Sequence, residues 1–309
     1  MRYHRGSCSS VVALLAFCVL FFAGCSGPGK GGPGGGHRPG GPGNGFLSTV
    51  YDTRPFNPDV GRLPPMYTGH NPELLYNSIE MRKQRTLREP QETEDAHRTR
   101  MAREISLPLT GSLDFDSIYA VRVTPSEVRR DEKDGLIHMS CRLSAAFEAG
   151  RENPAKKAFV VRYLPQLDNR YAIDRKDGTR VTIEEIKFSE YAVVAVNARN
   201  LPIQRTAGPQ AHKDGKRPQE GGKEPESERV EGTAKLTAEE ARSIEGGVMA
   251  LLVGRLAPPY TSHEEINRKP TTDRPGTYLG RYHYLYMDLM AIWFYDVTTG
   301  KVLKKIRLS

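Results

Sequence analysis

The sequence predicts an α+β domain: an antiparallel sheet of about six to eight strands, a helix over 237–256 packed on one face, and a helical N-terminal arm. Three observations carry this. Residues 105–203 run in segments rich in Val, Ile, Tyr and Phe, separated by turn residues. Thr237 and Glu240 stand at capping-box spacing ahead of Ala241, Ile244, Val248, Leu251, Leu252 and Arg255, which recur at helical intervals. Residues 277–308 form two apolar runs around Asp296-Val297-Thr298-Thr299-Gly300-Lys301, which reads as a hairpin turn.

Taken in order, Phe46–His70 is extended and punctuated by proline, with Tyr51, Phe56, Leu63, Met66 and Tyr67 able to dock on a core. Asn71-Pro72-Glu73 is a helix start, Asn at the cap and Pro at the first helical position. The helix is expected to reach Arg88, break at Pro90 and resume from Gln91 to Glu104. Strands are expected at 117–124, 136–147, 157–164, 171–174, 180–188 and 191–198. Lys-Asp-Gly at 133–135 and 176–178 places Gly where a hairpin needs positive φ, so the connections read as short and antiparallel. Residues 205–232 are rich in both charges and hold no aromatic side chain, which reads as an unstructured loop. Pro258-Pro259 ends the expected 237–256 helix, and Gly246-Gly247 within it implies close packing on a sheet. A run as long as 277–295 reads as two strands with a bend near Asp288. The ordered domain is thus 105–309, and 46–104 is its arm.

The first 45 residues are of another kind. Arg2 and Arg5 precede Val11–Phe22, twelve apolar residues in a row, and small residues follow. Basic residues, a short apolar stretch and a small-residue junction make residues 1–24 a secretory signal peptide. A helix of that length rises about 18 Å, short of the ~30 Å hydrocarbon core. The junction Phe22-Ala23-Gly24-Cys25 resembles the lipobox of bacterial lipoproteins, a likeness confined to residues 1–25. The resemblance implies cleavage after Gly24, diacylglycerol on the Cys25 sulfur and acylation, typically palmitate, of the freed amine. Phe22 stands where the family usually has Leu. Two or more acyl chains are what stable anchoring takes. Eleven Gly and four Pro then fill most of Gly27–Gly45, a composition that buries nothing and reads as a disordered tether. Ser26, rather than Asp, follows the cysteine, which points to the outer membrane facing the periplasm, with the inner membrane or the cell surface as alternatives.

Composition narrows the function classes. With 309 residues, 38% hydrophobic and 27% charged, and one short apolar run, the chain is not a polytopic membrane protein, a coiled coil or a disulfide scaffold. Net charge falls from +8 to +6 when Arg2 and Arg5 leave, and outside the cytoplasm the counter-charges are anionic headgroups or acidic polymer rather than nucleic acid. Cys141 would be the mature chain's free thiol and reads as a small buried hydrophobe.

No sequence motif points to catalysis. His37, His70, His97, His138, His212, His263 and His283 form neither H-x-x-x-H nor H-E-x-x-H, and no G-x-S-x-G occurs. The reading is therefore non-enzymatic, with no metal and no cofactor. Tyr282, Tyr284 and Tyr286 are two apart, so one face of a strand would carry all three. That row is either sheet packing or a recognition face for a protein or a sugar polymer. The function expected is a membrane-anchored envelope lipoprotein with a binding or assembly role, its partners the membrane, an envelope protein or wall polymer. The alternatives are an envelope hydrolase built from dispersed residues and a structural spacer.

Overall fold

Segments that read as separate short strands are joined into long ones. A computed structural model describes residues 50–131, 133–144, 157–174, 178–206, 227–237, 239, 240, 244, 247–271 and 276–308. In chain order the elements are α1 (Pro72–Thr86), α2 (Glu94–Ser106), β1 (Ile118–Val123), β2 (Glu127–Asp131), β3 (Leu136–Arg142), β4 (Ala158–Asp174), β5 (Arg180–Ala195), β6 (Ile203–Thr206), β7 (Ser227–Lys235), β8 (Val248–Arg268), β9 (Thr277–Asp296) and β10 (Val302–Arg307). The described residues form one compact unit. The expected signal peptide, Cys25 and the expected tether lie outside the described residues.

Two sheets replace the expected single one. The larger runs β1-β8-β9-β5-β4 with β10 also on β9, and the smaller runs β2-β3-β7-β6. β9 is the spine: β8 pairs with it antiparallel from Val248↔Asp296 to Arg268↔Tyr278, and β5 pairs with it parallel from Glu185↔Thr277 to Ala195↔Met287. β10 takes over the second edge at Ala291–Tyr295. The parallel pair corrects the expectation of antiparallel connections throughout. The bend expected near Asp288 is a bulge, since Gly254 opposes Leu289 while Val253 opposes Ala291. Gly135 and Gly178 do adopt positive φ, 63° and 80°, at their hairpin turns.

The α+β assignment is overturned by the 237–256 region. Its capping box forms, with Thr237 N–H donating to Glu240 Oε2 (2.9 Å) and Glu240 N–H to Thr237 Oγ1 (3.2 Å). Residues 239 and 240 are helical and Ile244 N–H bonds Glu240 O (3.3 Å), but the helix does not extend to Val248. Gly247 sits at φ 89°, and Val248 opens a strand, not a helix. The apolar residues that matched helical spacing serve equally at period two: Ala250 and Leu252 enter one core, Leu251 and Val253 another, because β8 is buried on both faces. From Val248 onward the expected helix is strand.

The helices are not a detached arm either. α1, its cap made by Asn71 accepting from Glu73 N–H and Leu74 N–H, buries Leu75, Tyr76 and Ile79 in the main core. α2 buries none of its own side chains and is held by Arg82, which donates to the backbone carbonyls of Glu104, Leu107 (2.8 Å) and Pro108 (2.9 Å) at its C-terminus. The 205–232 segment is corrected at both ends: Arg205 belongs to β6 and 227–232 to β7, while 207–226 lies outside the described residues.

The main core lies on one face of the large sheet, under α1 and the small sheet. Gly232 of β7 lets the sheets close, since a Cβ there would stand 2.9 Å from the Phe294 ring. The opposite face is covered at one end by the strap 51–70. Its Phe56 meets Trp293 edge-on at 5.2 Å, Leu63 N–H bonds Gly300 O (2.9 Å), and Tyr295 Oη donates to Tyr67 O (2.6 Å).

Candidate functional site

The tyrosine row stands on the strap's face of the large sheet, towards the other end. Tyr282 (3% exposed) and Tyr284 (1%) are buried with Phe188, Ala192 and Val194 of β5, and Tyr286 is half-buried beside them. Parallel register sets this: Glu190, Ala192 and Val194 oppose Tyr282, Tyr284 and Tyr286. The three residues therefore share a face, and two of them offer no surface. Gly280 makes the packing possible, because the Phe188 ring and Tyr282 occupy the space a Cβ would take.

Among these rings sits a carboxyl that sequence reading did not single out. Glu190 Oε1 is buried without a hydrogen-bond partner, and burial pushes the carboxyl up to about 7. Nothing in its sequence neighbourhood distinguishes it; only the long-range pairing of β5 with β9 does. On the other face, His283 stacks on Tyr191 (4.6 Å) and meets Tyr76 of α1 at 4.8 Å, and burial lowers its pKa. Among the described residues no group of three or more His, Cys, Asp and Glu is placed to hold a metal ion. Cys141 is buried in β3, which pushes its thiol up to about 12.

The surface that the fold does leave open is the far end of the β4–β5 hairpin. β9 starts opposite Glu185, so residues 180–184 of β5 and 170–174 of β4 have only each other as strand neighbours among the described residues. Five residues of overhang reach about 17 Å at ~3.3 Å each. A bulge between Pro165 and Leu167 shifts the face that β4 presents. Beyond it Leu167, Asn169, Tyr171 and Ile173 share the side of the sheet that carries Tyr191 and Val193 into the main core. Leu167 is 39% exposed, Tyr171 45% and Ile173 44%. Across the hairpin Tyr171 opposes Ile183 and Ile173 opposes Val181, which extends the apolar stripe onto β5.

The reverse side is charged, with Arg170 3.7 Å from both Asp168 and Glu184, and Arg180 4.0 Å from Asp174. From Tyr163 onward no strand among the described residues pairs with the outer edge of β4. A two-stranded ribbon is marginal in water, and an open edge with an apolar face is a template for another strand. Tyr171–Asp174 was legible as strand, but its projection was not, because it depends on where β9 begins.

A second concavity, of about 250 Å³, lies where the strap, α1, β1 and β4 meet, lined by Tyr51, Thr68, His70, Arg122 and Arg162. Arg162 is paired with Glu73 (3.1 Å), and the His70 ring is wholly engaged by backbone. Among the described residues no helix is long and apolar enough to cross a membrane. No family model, no curated protein and no solved structure matches the chain.

Proposed function

We propose that the protein is a bacterial envelope lipoprotein, anchored by lipid on Cys25 at the outer membrane facing the periplasm, that works by non-catalytic assembly. The β4–β5 hairpin is its docking element. The observation that carries the docking role is the open outer edge of β4 beside an exposed apolar stripe. An added strand would bond the free backbone groups and cover Leu167, Tyr171 and Ile173. The anchor is supported by the resemblance of Phe22-Ala23-Gly24-Cys25 to the lipobox and by the glycine-rich stretch behind it. The strap then gives the tether a firm point of attachment, since Asp52 N–H bonds Gly69 O within it and Phe56 N–H bonds Ile118 O of β1.

Two variants test the two halves. Cys25→Ser moves the protein from the membrane pellet to the soluble fraction; continued pelleting defeats the anchor. Tyr171→Glu with Ile173→Glu abolishes in-cell crosslinking to envelope partners while the circular dichroism of the body is unchanged; unaltered crosslinking removes the docking role. The hydrolase reading would have to act through Glu190, the one described carboxyl raised towards neutrality. Partner capture that survives Glu190→Gln separates the two.

A further inference from the structure

We infer that the occupant of the β4 edge is β4 of a second copy of this chain, paired antiparallel about a two-fold axis through Asn169. This rests on the reading of that edge as the docking surface, and it adds the partner and the register.

The argument is one of self-complementarity. A two-fold axis normal to a sheet keeps every residue on its own face, so only registers centred on a residue are open to such a pair. Centred on Asn169, residues equidistant from it oppose one another. Asp168 then faces Arg170 of the second copy, and Arg170 faces its Asp168, on the charged side. Leu167 faces Tyr171 twice on the apolar side, and the bulge after Pro165 ends the regular ladder there. Opposite charges and an aromatic–aliphatic pair are the combinations that stabilise directly opposed positions.

Neighbouring registers fail on the same residues. Centring on Arg170 sets Arg against Arg, and centring on Asp168 sets Asp against Asp and leaves Leu167 opposite Asn169. The side chains are available for the pairing. Asp168 and Arg170 are 63% and 62% exposed, and Arg170 would lie between its own Glu184 and the second copy's Asp168. Pro165, which has no N–H to donate, ends the paired span on the inner side, where β4 approaches the body.

The test uses the full-length chain in its membrane and in detergent. In the proposed register Asn169 faces itself with Cα atoms about 4.5–5.5 Å apart, within disulfide range. Asn169→Cys is expected to give a disulfide dimer as the main product of mild oxidation. Asp168→Cys and Arg170→Cys stay largely monomeric alone and crosslink when co-expressed. The wild-type chain, oxidised in parallel, accounts for its own thiols, of which Cys141 is buried. Arg170→Asp is expected to weaken dimerisation about tenfold through opposed like charges, and the double variant Asp168→Arg with Arg170→Asp to restore it.

A monomeric Asn169→Cys overturns the inference, and so does equal crosslinking at 168, 169 and 170, which marks random collision. If self-crosslinking is absent while Tyr171→Glu with Ile173→Glu still abolishes capture of another envelope protein, the second copy falls and the docking edge stands. If both are negative, both fall.

Discussion

Tyr284 and Glu190 are neighbours on one face of the sheet, and each determines what the other can do. The Tyr284 ring is a packing element, and its truncation to Ala removes a fully enclosed aromatic side chain at a cost of about 3–5 kcal/mol. Tyr284→Ala is therefore expected to lower the urea midpoint sharply; a folded variant of unchanged midpoint would return the row to the surface. Glu190 has a carboxyl held above its ordinary range by burial. The unfolded chain ionises it near 4.5 and the folded chain only near 7, so its stabilising contribution is complete in acid and is lost as pH rises through that interval. Glu190→Gln is expected to match the parent in stability at about pH 4 and to exceed it by about 1–3 kcal/mol at about pH 8, read from urea midpoints at the two pH values. A gain of equal size at both would mean that the carboxyl is not the group responsible.

Elements were legible where their signals were local and illegible where a distant partner decided. Asn71 and Thr237 with Glu240 make the caps that their spacing implies, and Gly135 and Gly178 take the φ that their turns require. The same Thr237 box misled over the residues after it, because a strand buried on both faces shows no alternation and Val248–Leu256 therefore fits helical spacing as well. β2, β6 and β7 are charged and short of apolar residues, and they owe their state to one another and to β3, not to propensity. The β4–β5 hairpin was half visible: its strands could be read, while its overhang is set by the start of β9. At this scale α2 offers a test, since it buries no side chain of its own and Arg82 holds its C-terminal end, while its His97 and Arg100 bond the carbonyls of Thr86, Arg85 and Leu87. Arg82→Ala leaves three carbonyls without that donor and is expected to cost about 2–3 kcal/mol. Hydrogen exchange should show α2 amides losing protection ahead of the sheet; uniform protection would mean that Arg82 does not hold it.

Across the whole molecule the strap joins whatever precedes residue 50 to the sheet, and His70 is its fastening. Its Nδ1 accepts from Ala120 N–H (2.8 Å), so Nε2 carries the proton and donates to Arg54 O (2.8 Å). A second proton would confront the Ala120 N–H, and burial further holds the imidazole below its ordinary pKa. Protonation thus favours the unfolded chain. The His70 contribution is level above about pH 6.5 and falls as pH drops from there towards the folded-state value. His283 contributes with the same sign, so the diagnostic is the difference between the parent and His70→Gln: the variant should show a shallower loss of urea midpoint between pH 7 and 5. Parallel slopes would place the titration elsewhere.

The parallel ladder between β5 and β9 has a consequence for how such a chain comes into being. Glu185 finds Thr277 across 92 positions of sequence, and the same late strand supplies the ladders to β8 and β10. Contacts of that separation are slow to form, because the entropy of closing a large loop is spent before any of them stabilises the fold. A polypeptide emerging N-terminus first therefore holds β1, β4 and β5 without the strand that links them until almost all of it has appeared. Delayed closure keeps the chain open until its last strands have appeared, and the large sheet sets as a late, single event.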